Sequence, residues 1–281
     1  MLYPIQKKHF SIGELYFVNE FEVQFLIYEI FHQLTYLSDF LTLHPDSVIV
    51  DVGANIGIFS LFAISQCNGN AQIYSFEPIP ATFQCLEKNL ASHKNIAKIY
   101  NEGISNVTND CYRDFTLFGK DFATATYRKK DKLLSNYAPL LNYTTLLEIT
   151  KTTNKTLHYQ LKYLLFMRHY LVKKNYKKQT LETKVRCKLT SLSHFIETNQ
   201  LNRIDFLKID VEGAEMDVIK SIHPKQFSMI KQCSIEVHNI DNRVATLADF
   251  LREQGFSIKV CKNPMFESLG FNHHMVYAKK E

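Results

Sequence analysis

The chain has 281 residues, 46% of them apolar, enough for one sizeable core, and a formal net charge of +5. Its six cysteines stand at least 18 residues apart, which excludes a redox pair or zinc knuckle built from near neighbours and leaves them as reduced core thiols. No apolar run reaches the ~18 residues of a membrane span and no signal-peptide pattern opens the chain, so the expectation is a soluble, cytoplasmic protein with no membrane span.

Residues 1–46 read as an N-terminal helical leader. Phe21, Phe25, Tyr28, Phe31 and Leu34 recur at steps of three and four and predict a helix from Glu20 to Phe40, stopped by His44-Pro45-Asp46. Residues 47–281 form the main domain. Ser47 to Val52 is a β-branched run that Gly53 stops; Asn55-Ile56-Gly57 then opens the helical pattern of Ile58, Phe59, Leu61, Phe62 and Ile64. A strand at 71–76, a helix at 81–91 and a strand at 97–101 follow. Later come a helix at 191–199, a strand at 204–209, a helix at 214–222, a strand at 232–237 and a helix at 243–254. Segments 256–260 and 274–278 make a closing antiparallel pair. Strands and helices that alternate in this way predict an α/β fold, a mostly parallel twisted sheet with helices on both faces.

The stretch from about 106 to 189 breaks the alternation and reads as a basic helical cap inserted into the domain. From Lys120 to Lys188 there are 16 Lys and Arg against 4 Asp and Glu, a balance of +12 that leaves −7 for the rest of the chain. Within it, 155–172 is expected to be one helix with two stripes. Leu157, Leu161, Leu164, Leu165, Leu171 and Val172 form one, and Tyr159, Tyr163, Phe166 and Tyr170 the other.

The strongest chemical signal is Asp51-x-Gly53-x-Asn55-x-Gly57 at a strand-to-helix turn, with Glu77 ending the next strand 20 residues after Gly57. Glycines there let backbone N–H groups approach a ligand, and an acid at the second strand tip accepts hydrogen bonds from ribose hydroxyls. The spacing alone suits NAD as well as S-adenosylmethionine, and a plain tight turn would also use these glycines. Asp51 and the missing third glycine of G-x-G-x-x-G argue against a diphosphate, because a carboxylate aimed into the crevice would repel it and would suit a sulfonium. Asp210, Glu212, Glu236 and His238 close two later strands and are expected at the same crevice; singly, each would serve as well as a helix-end charge or a structural group.

Four blocks, VIVDVGANIGIFSLFA, YSFEPIPATFQCLEKNL, NEGISN and DFLKIDVEGAEMDVIKSI, resemble the FkbM family of methyltransferases over roughly residues 18–108 and 186–279. The leader and the IEVHNIDNRVATLADFLREQGF stretch are similar to the branch found with polyketide and nonribosomal peptide assembly lines. That branch typically shows H-D-x-D-G-R-L where this chain has residues 238–244 as HNIDNRV. The resemblance implies a Rossmann-like class I methyltransferase fold, S-adenosyl-L-methionine as donor, and O-methylation of a hydroxyl on a natural product or sugar. It implies Asp51, Gly53, Asn55 and Gly57 at the methionine end, Glu77 at the ribose, and Gly103 and Ile104 at the adenine. The basic insert has no clear counterpart in the family. It is expected to cap the crevice, with its lysines toward solvent or an acidic carrier protein, and no nucleic acid is expected as partner. The rivals are an NAD-dependent oxidoreductase and a non-enzymatic module whose insert binds an acidic partner or nucleic acid.

Methyl transfer to an alcohol needs alignment and a group to receive the proton. His238 is the expected base, oriented by Asp210 and Glu236. The alternatives are Asp210 itself, a divalent metal held by these three, or a purely structural His238. No metal site is assigned from the sequence.

Overall fold

The leader begins with a hairpin that the periodicity does not reveal, β1 (Gln6–Phe10) against β2 (Gly13–Phe17). In the computed structural model, which describes residues 4–118, 121–133, 137–262 and 272–280, the leader helix α1 spans Glu20–Ile27. The Asn19 side chain caps it by accepting from the Phe21 N–H. A π-helical turn, Tyr28–His32, ends the helical run well short of Phe40. Leu34 and Ser38 adopt φ of 52° and 37°, left-handed backbone that no right-handed helix continues.

The alternating units form as expected: β3 (Ser47–Val52), α2 (Ile58–Gln66), β4 (Ala71–Phe76), α3 (Pro80–Asn89) and β5 (Ala97–Tyr100). The insert differs from a purely helical cap because strands carry it in and out. After β6 (Gly103–Ile104) come β7 (Cys111–Phe118) and β8 (Asp121–Thr126), then α4 (Lys129–Lys132), α5 (Tyr143–Thr153), α6 (Lys155–Tyr163), α7 (Arg168–Gln179) and β9 (Glu182–Thr190). These strands build a separate sheet in the order β6-β9-β7-β8. The expected helix over 155–172 is broken at Leu164, whose φ and ψ of −91° and 67° leave the helical region. The break folds the chain back, so that Leu161 of α6 joins Leu171 and Val172 of α7 and Leu146 of α5 in one small core.

Beyond the insert lie α8 (Leu192–Thr198), β10 (Phe206–Ile209), α9 (Glu215–Lys220), β11 (Gln232–His238), α10 (Arg243–Glu253), β12 (Ser257–Lys262) and β13 (His273–Lys279). The central sheet runs β12-β13-β11-β10-β3-β4-β5, with β13 antiparallel to both neighbours and every other pair parallel. One face packs against the leader, α2 and α3, the other against α8, α9 and α10. This is a Rossmann-like doubly wound sheet. The order of connection reverses between β3 and β10, the switch point where such sheets open a crevice.

Candidate functional site

A cavity of about 680 Å³ lies beyond the carboxyl ends of β3, β4, β10 and β11, with walls from the leader and the insert. The turn after β3 forms its floor. Gly53 has φ +80° and donates its N–H to the Phe76 carbonyl. A Cβ at Gly53 would stand 1.8 Å from the Asp210 carbonyl oxygen, so glycine is demanded by the contact between two strand ends as well as by any ligand. Asn55 follows at φ 50°, and Gly57 at φ +91° is the residue before α2. Gly53, Asn55, Glu77, Gly103 and Ile104 are on the cavity wall; Gly57 instead packs beneath the turn, where an added Cβ would meet Leu86 at 2.7 Å.

Glu77 is buried. One carboxylate oxygen accepts from the Asn55 N–H at 2.9 Å, the other from the Ile79 N–H and the Thr82 hydroxyl at 2.8 Å each. Burial pushes its carboxyl up to about 7 against the pull of these donors. Three of roughly four lone-pair directions of a carboxylate are thus used inside the chain, which leaves about one for a ligand hydroxyl where the sequence suggested two.

Asp51 departs from expectation. It is fully buried and lies off the cavity wall, because β3 pairs with β10 in the register that sets Asp51 opposite Lys208. Its carboxylate stands 3.1 Å from the Lys208 ammonium and accepts from the Ser60 hydroxyl at 2.7 Å. Lys208, of the opposite charge, is the member of this pair on the cavity wall. Its Nζ donates to the Gly53 carbonyl at 2.6 Å and lies 3.8 Å from Asp210. Burial works against its charge, but Asp51 and Asp210 outweigh burial and hold its pKa above the ordinary value. Nothing in the motif reading singled out Lys208, although a lysine inside the run Phe206-Leu-Lys-Ile-Asp210 of a central strand needs a buried partner.

Asp210 and Glu236 do reach the cavity, joined there by Glu29 and Glu212. The Tyr36 hydroxyl, delivered by the leader, donates to Asp210 Oδ2 at 2.8 Å and stands 3.4 Å from Glu236 Oε2. Burial raises the Asp210 carboxyl to about 7, with Glu236 and Glu212 adding to the rise and Lys208 opposing it. Glu29 is raised well above its ordinary value by burial and by the charges of Glu236 and Asp210. Of the four carboxyl groups here, Asp210 and Glu29 have raised pKa values and Glu212 is paired with His238; the balance is acidic short of four full charges, suited to a cation and hostile to a diphosphate.

His238 is corrected as well. It is buried off the cavity wall, and its partners are not Asp210 and Glu236. Nδ1 lies 3.0 Å from Glu215 and Nε2 lies 2.9 Å from Glu212. Burial disfavours its charge, yet the two carboxylates raise its pKa to about 10. The ring is an imidazolium at neutral pH, with no basic nitrogen to offer a substrate. Among the described residues no group of three or more His, Cys, Asp or Glu side chains is arranged to hold a metal ion, and no helix is long and apolar enough to cross a membrane.

The insert is latched over the site. Arg128 and Tyr127 both donate to Asp217 of α9 at 2.6 Å, and Arg243 of α10 bridges Asp131 at 2.7 Å and the Gly213 carbonyl at 2.9 Å. Leu146, Ile149, Thr150, Leu157, Asn175 and Gln179 close the cavity from this side.

Known proteins share both sequence and fold with this chain. A family model described as the methyltransferase FkbM domain matches residues 51–258. The chain is 29% identical over 267 residues to the 31-O-demethyl-FK506 methyltransferase FkbM of Streptomyces tacrolimicus, covering 94% of this chain and 92% of that protein. It is 28% identical over 275 residues to the AMB antimetabolite synthetase AmbE of Pseudomonas aeruginosa, covering 93% of this chain but 12% of the synthetase. A crystal structure of a methyltransferase FkbM from Methylobacillus flagellatus superposes with a TM-score of 0.51 at 12% identity, over 85% of this chain and 45% of that one.

Proposed function

The chain belongs to the FkbM family of methyltransferases, with S-adenosylmethionine as donor, and we propose that it methylates a hydroxyl oxygen of a largely apolar small molecule, with Asp210 receiving the proton. The observation that carries the reading is Asp210 itself. It combines a place on the cavity wall, a pKa of about 7 and a fixed hydrogen bond from Tyr36.

The residues present fit the donor. The turn from Gly53 to Asn55 brings backbone to the cavity, Glu77 keeps a lone pair for a ribose hydroxyl, and Gly103 and Ile104 offer an uncharged wall for a base. The acidic side chains of Asp210, Glu236, Glu212 and Glu29 suit the donor's cationic groups. When bound, the sulfonium supplies a methyl group electrophilic enough to need no further activation.

The remaining work belongs to the protein. Phe25, Leu26 and Ile30 of the leader and Leu146, Ile149 and Leu157 of the insert give the acceptor an apolar bed and exclude water. Tyr36 ties up Asp210 Oδ2, which leaves Oδ1 to accept the hydroxyl proton as the carbon–oxygen bond forms. Lys208 opposes the rise that burial imposes on the Asp210 carboxyl and so favours its ionised, proton-accepting form. His238 holds Glu212 and Glu215 in place from behind the wall.

The test is methyl transfer from S-adenosylmethionine to a panel of hydroxylated apolar acceptors by the wild type and Asp210→Asn. Product bearing an O-methyl group and a loss of turnover of ~10²–10⁴-fold in the variant are expected. N- or C-methylated product, or an active variant, would overturn the assignment.

A further inference from the structure

The outer face of the insert has chemistry that the cavity does not use. Between residues 149 and 181 the chain carries eight Lys and Arg and no Asp or Glu. Lys162, Lys173, Lys174, Lys177 and Lys178 are exposed, and among the described residues none of them pairs with a carboxylate. On the same two helices and the turn between them, large apolar side chains face solvent. Phe166 is 86% exposed, Tyr163 64% and Leu165 61%. Tyr159 and Tyr163 stack with ring centroids 6.1 Å apart, and Tyr170 is exposed one turn beyond Phe166. The opposite side of these helices is already satisfied, since Leu161, Leu171 and Val172 fill the small core of the insert.

We propose that this face, the turn at Leu165–Met167 with the exposed sides of α6 and α7, docks on an anionic lipid membrane surface. A bare phenylalanine and leucine on the turn between two helices are costly in water, and bare apolar patches mark sites of association. A lipid surface receives exposed apolar side chains without needing a matching groove. It takes tyrosine rings at headgroup depth, and its phosphates meet lysines that, among the described residues, have no carboxylate partner, Lys162 and Lys174 lying over the Tyr163 and Tyr170 rings. The exposed lysines of this face, with no acid among them, add an electrostatic attraction for each one that reaches the surface. An acidic carrier protein answers the lysines alone and gives no reason for Phe166 and Leu165 to be bare.

The same helices roof the cavity from within through Leu157, Asn175 and Gln179. On the methyl-transfer reading above, an apolar acceptor dissolved in the membrane would therefore meet the protein at the element that covers its site. Docking itself does not depend on that reading, and its test uses neither donor nor acceptor.

The experiment is sedimentation of the full chain with vesicles of equal parts phosphatidylglycerol and phosphatidylcholine, and with phosphatidylcholine alone. The wild type should pellet with the anionic vesicles, lose binding as salt rises, and stay in solution with the neutral ones. Two variants at exposed positions, Leu165→Ala with Phe166→Ala, and Lys173→Glu with Lys174→Glu, Lys177→Glu and Lys178→Glu, should each weaken binding ~10-fold or more at unchanged melting temperature. A wild type that remains in the supernatant with anionic vesicles would overturn the proposal. So would full binding by the Leu165/Phe166 variant, or an acidic carrier protein that binds this face while the vesicles do not.

Discussion

A carboxyl group held at about 7 changes charge within the working pH range, and Asp210 is such a group on the cavity wall. Only its ionised form accepts a proton, so turnover at saturating donor should fall as pH drops through about 7, and this acid limb should vanish in the residual activity of Asp210→Asn. Tyr36→Phe removes one donor to the ionised form and should move the limb upward. Affinity for S-adenosylhomocysteine in Asp210→Asn should stay within a few-fold of wild type, as calorimetry would show. Glu77→Ala acts on the other quantity. It should weaken S-adenosylhomocysteine binding by ~1–3 kcal/mol, because a ligand hydroxyl loses a charged acceptor in a buried site; an unchanged dissociation constant would remove Glu77 from the cofactor site. His238 acts on stability. Its pKa rises from 6.5 unfolded to about 10 folded, so the stability it contributes is fully present below 6.5 and is lost as pH rises toward 10. His238→Gln leaves Glu212 and Glu215 short of a charge and should cost about 3–5 kcal/mol in denaturant melts near neutral pH, with that pH dependence flattened. A variant as stable as wild type would contradict the ion triad.

At the scale of elements, the contact between the ends of β3 and β10 is the tightest in the site. Gly53→Val sets a branched side chain against the Asp210 carbonyl oxygen and should depress the melting temperature, whereas a glycine needed only for a ligand would leave the apo protein as stable as before. The latch of the insert is weaker. Arg128 is about two-fifths exposed, so its pairing with Asp217 is screened, and Arg128→Ala should cost about 1 kcal/mol while speeding proteolysis within residues 137–180. Equal cleavage rates in wild type and variant would show that the latch does not hold the insert down. These elements differ in how far the sequence discloses them. The Ser47–Val52 run and its successors announce themselves through period and punctuation. Strands β7 and β9 do not, because they pair across more than sixty intervening residues and each shows several exposed positions. The helix break at Leu164 is hidden because the leucine keeps the apolar period while its backbone turns away.

For the molecule as a whole, the Rossmann-like frame and the family follow from local blocks, since each glycine, strand tip and acid occupies a fixed place in one βα unit. The site is only half legible in that way. Asp210, Glu236 and Glu77 stand at the cavity because strand ends in a doubly wound sheet converge there. Asp51 near the end of β3 and His238 at the end of β11 occupy comparable strand ends, but which side each presents depends on partners brought by other elements: Lys208 across the sheet and Glu215 from α9, the helix that precedes β11. Tyr36 and Glu29 come from the leader, about 175 residues before Asp210 in the chain, and no motif spacing marks them. Their convergence adds to the acidity of the crevice, which suits a cationic adenosyl donor better than a dinucleotide. The most direct measurement is calorimetric titration of the full chain at neutral pH with S-adenosylmethionine, S-adenosylhomocysteine and NAD. Both adenosyl ligands should bind at one site, weakened by Glu77→Ala, with no heat from NAD; binding of NAD with neither adenosyl ligand would contradict a cofactor crevice built for S-adenosylmethionine.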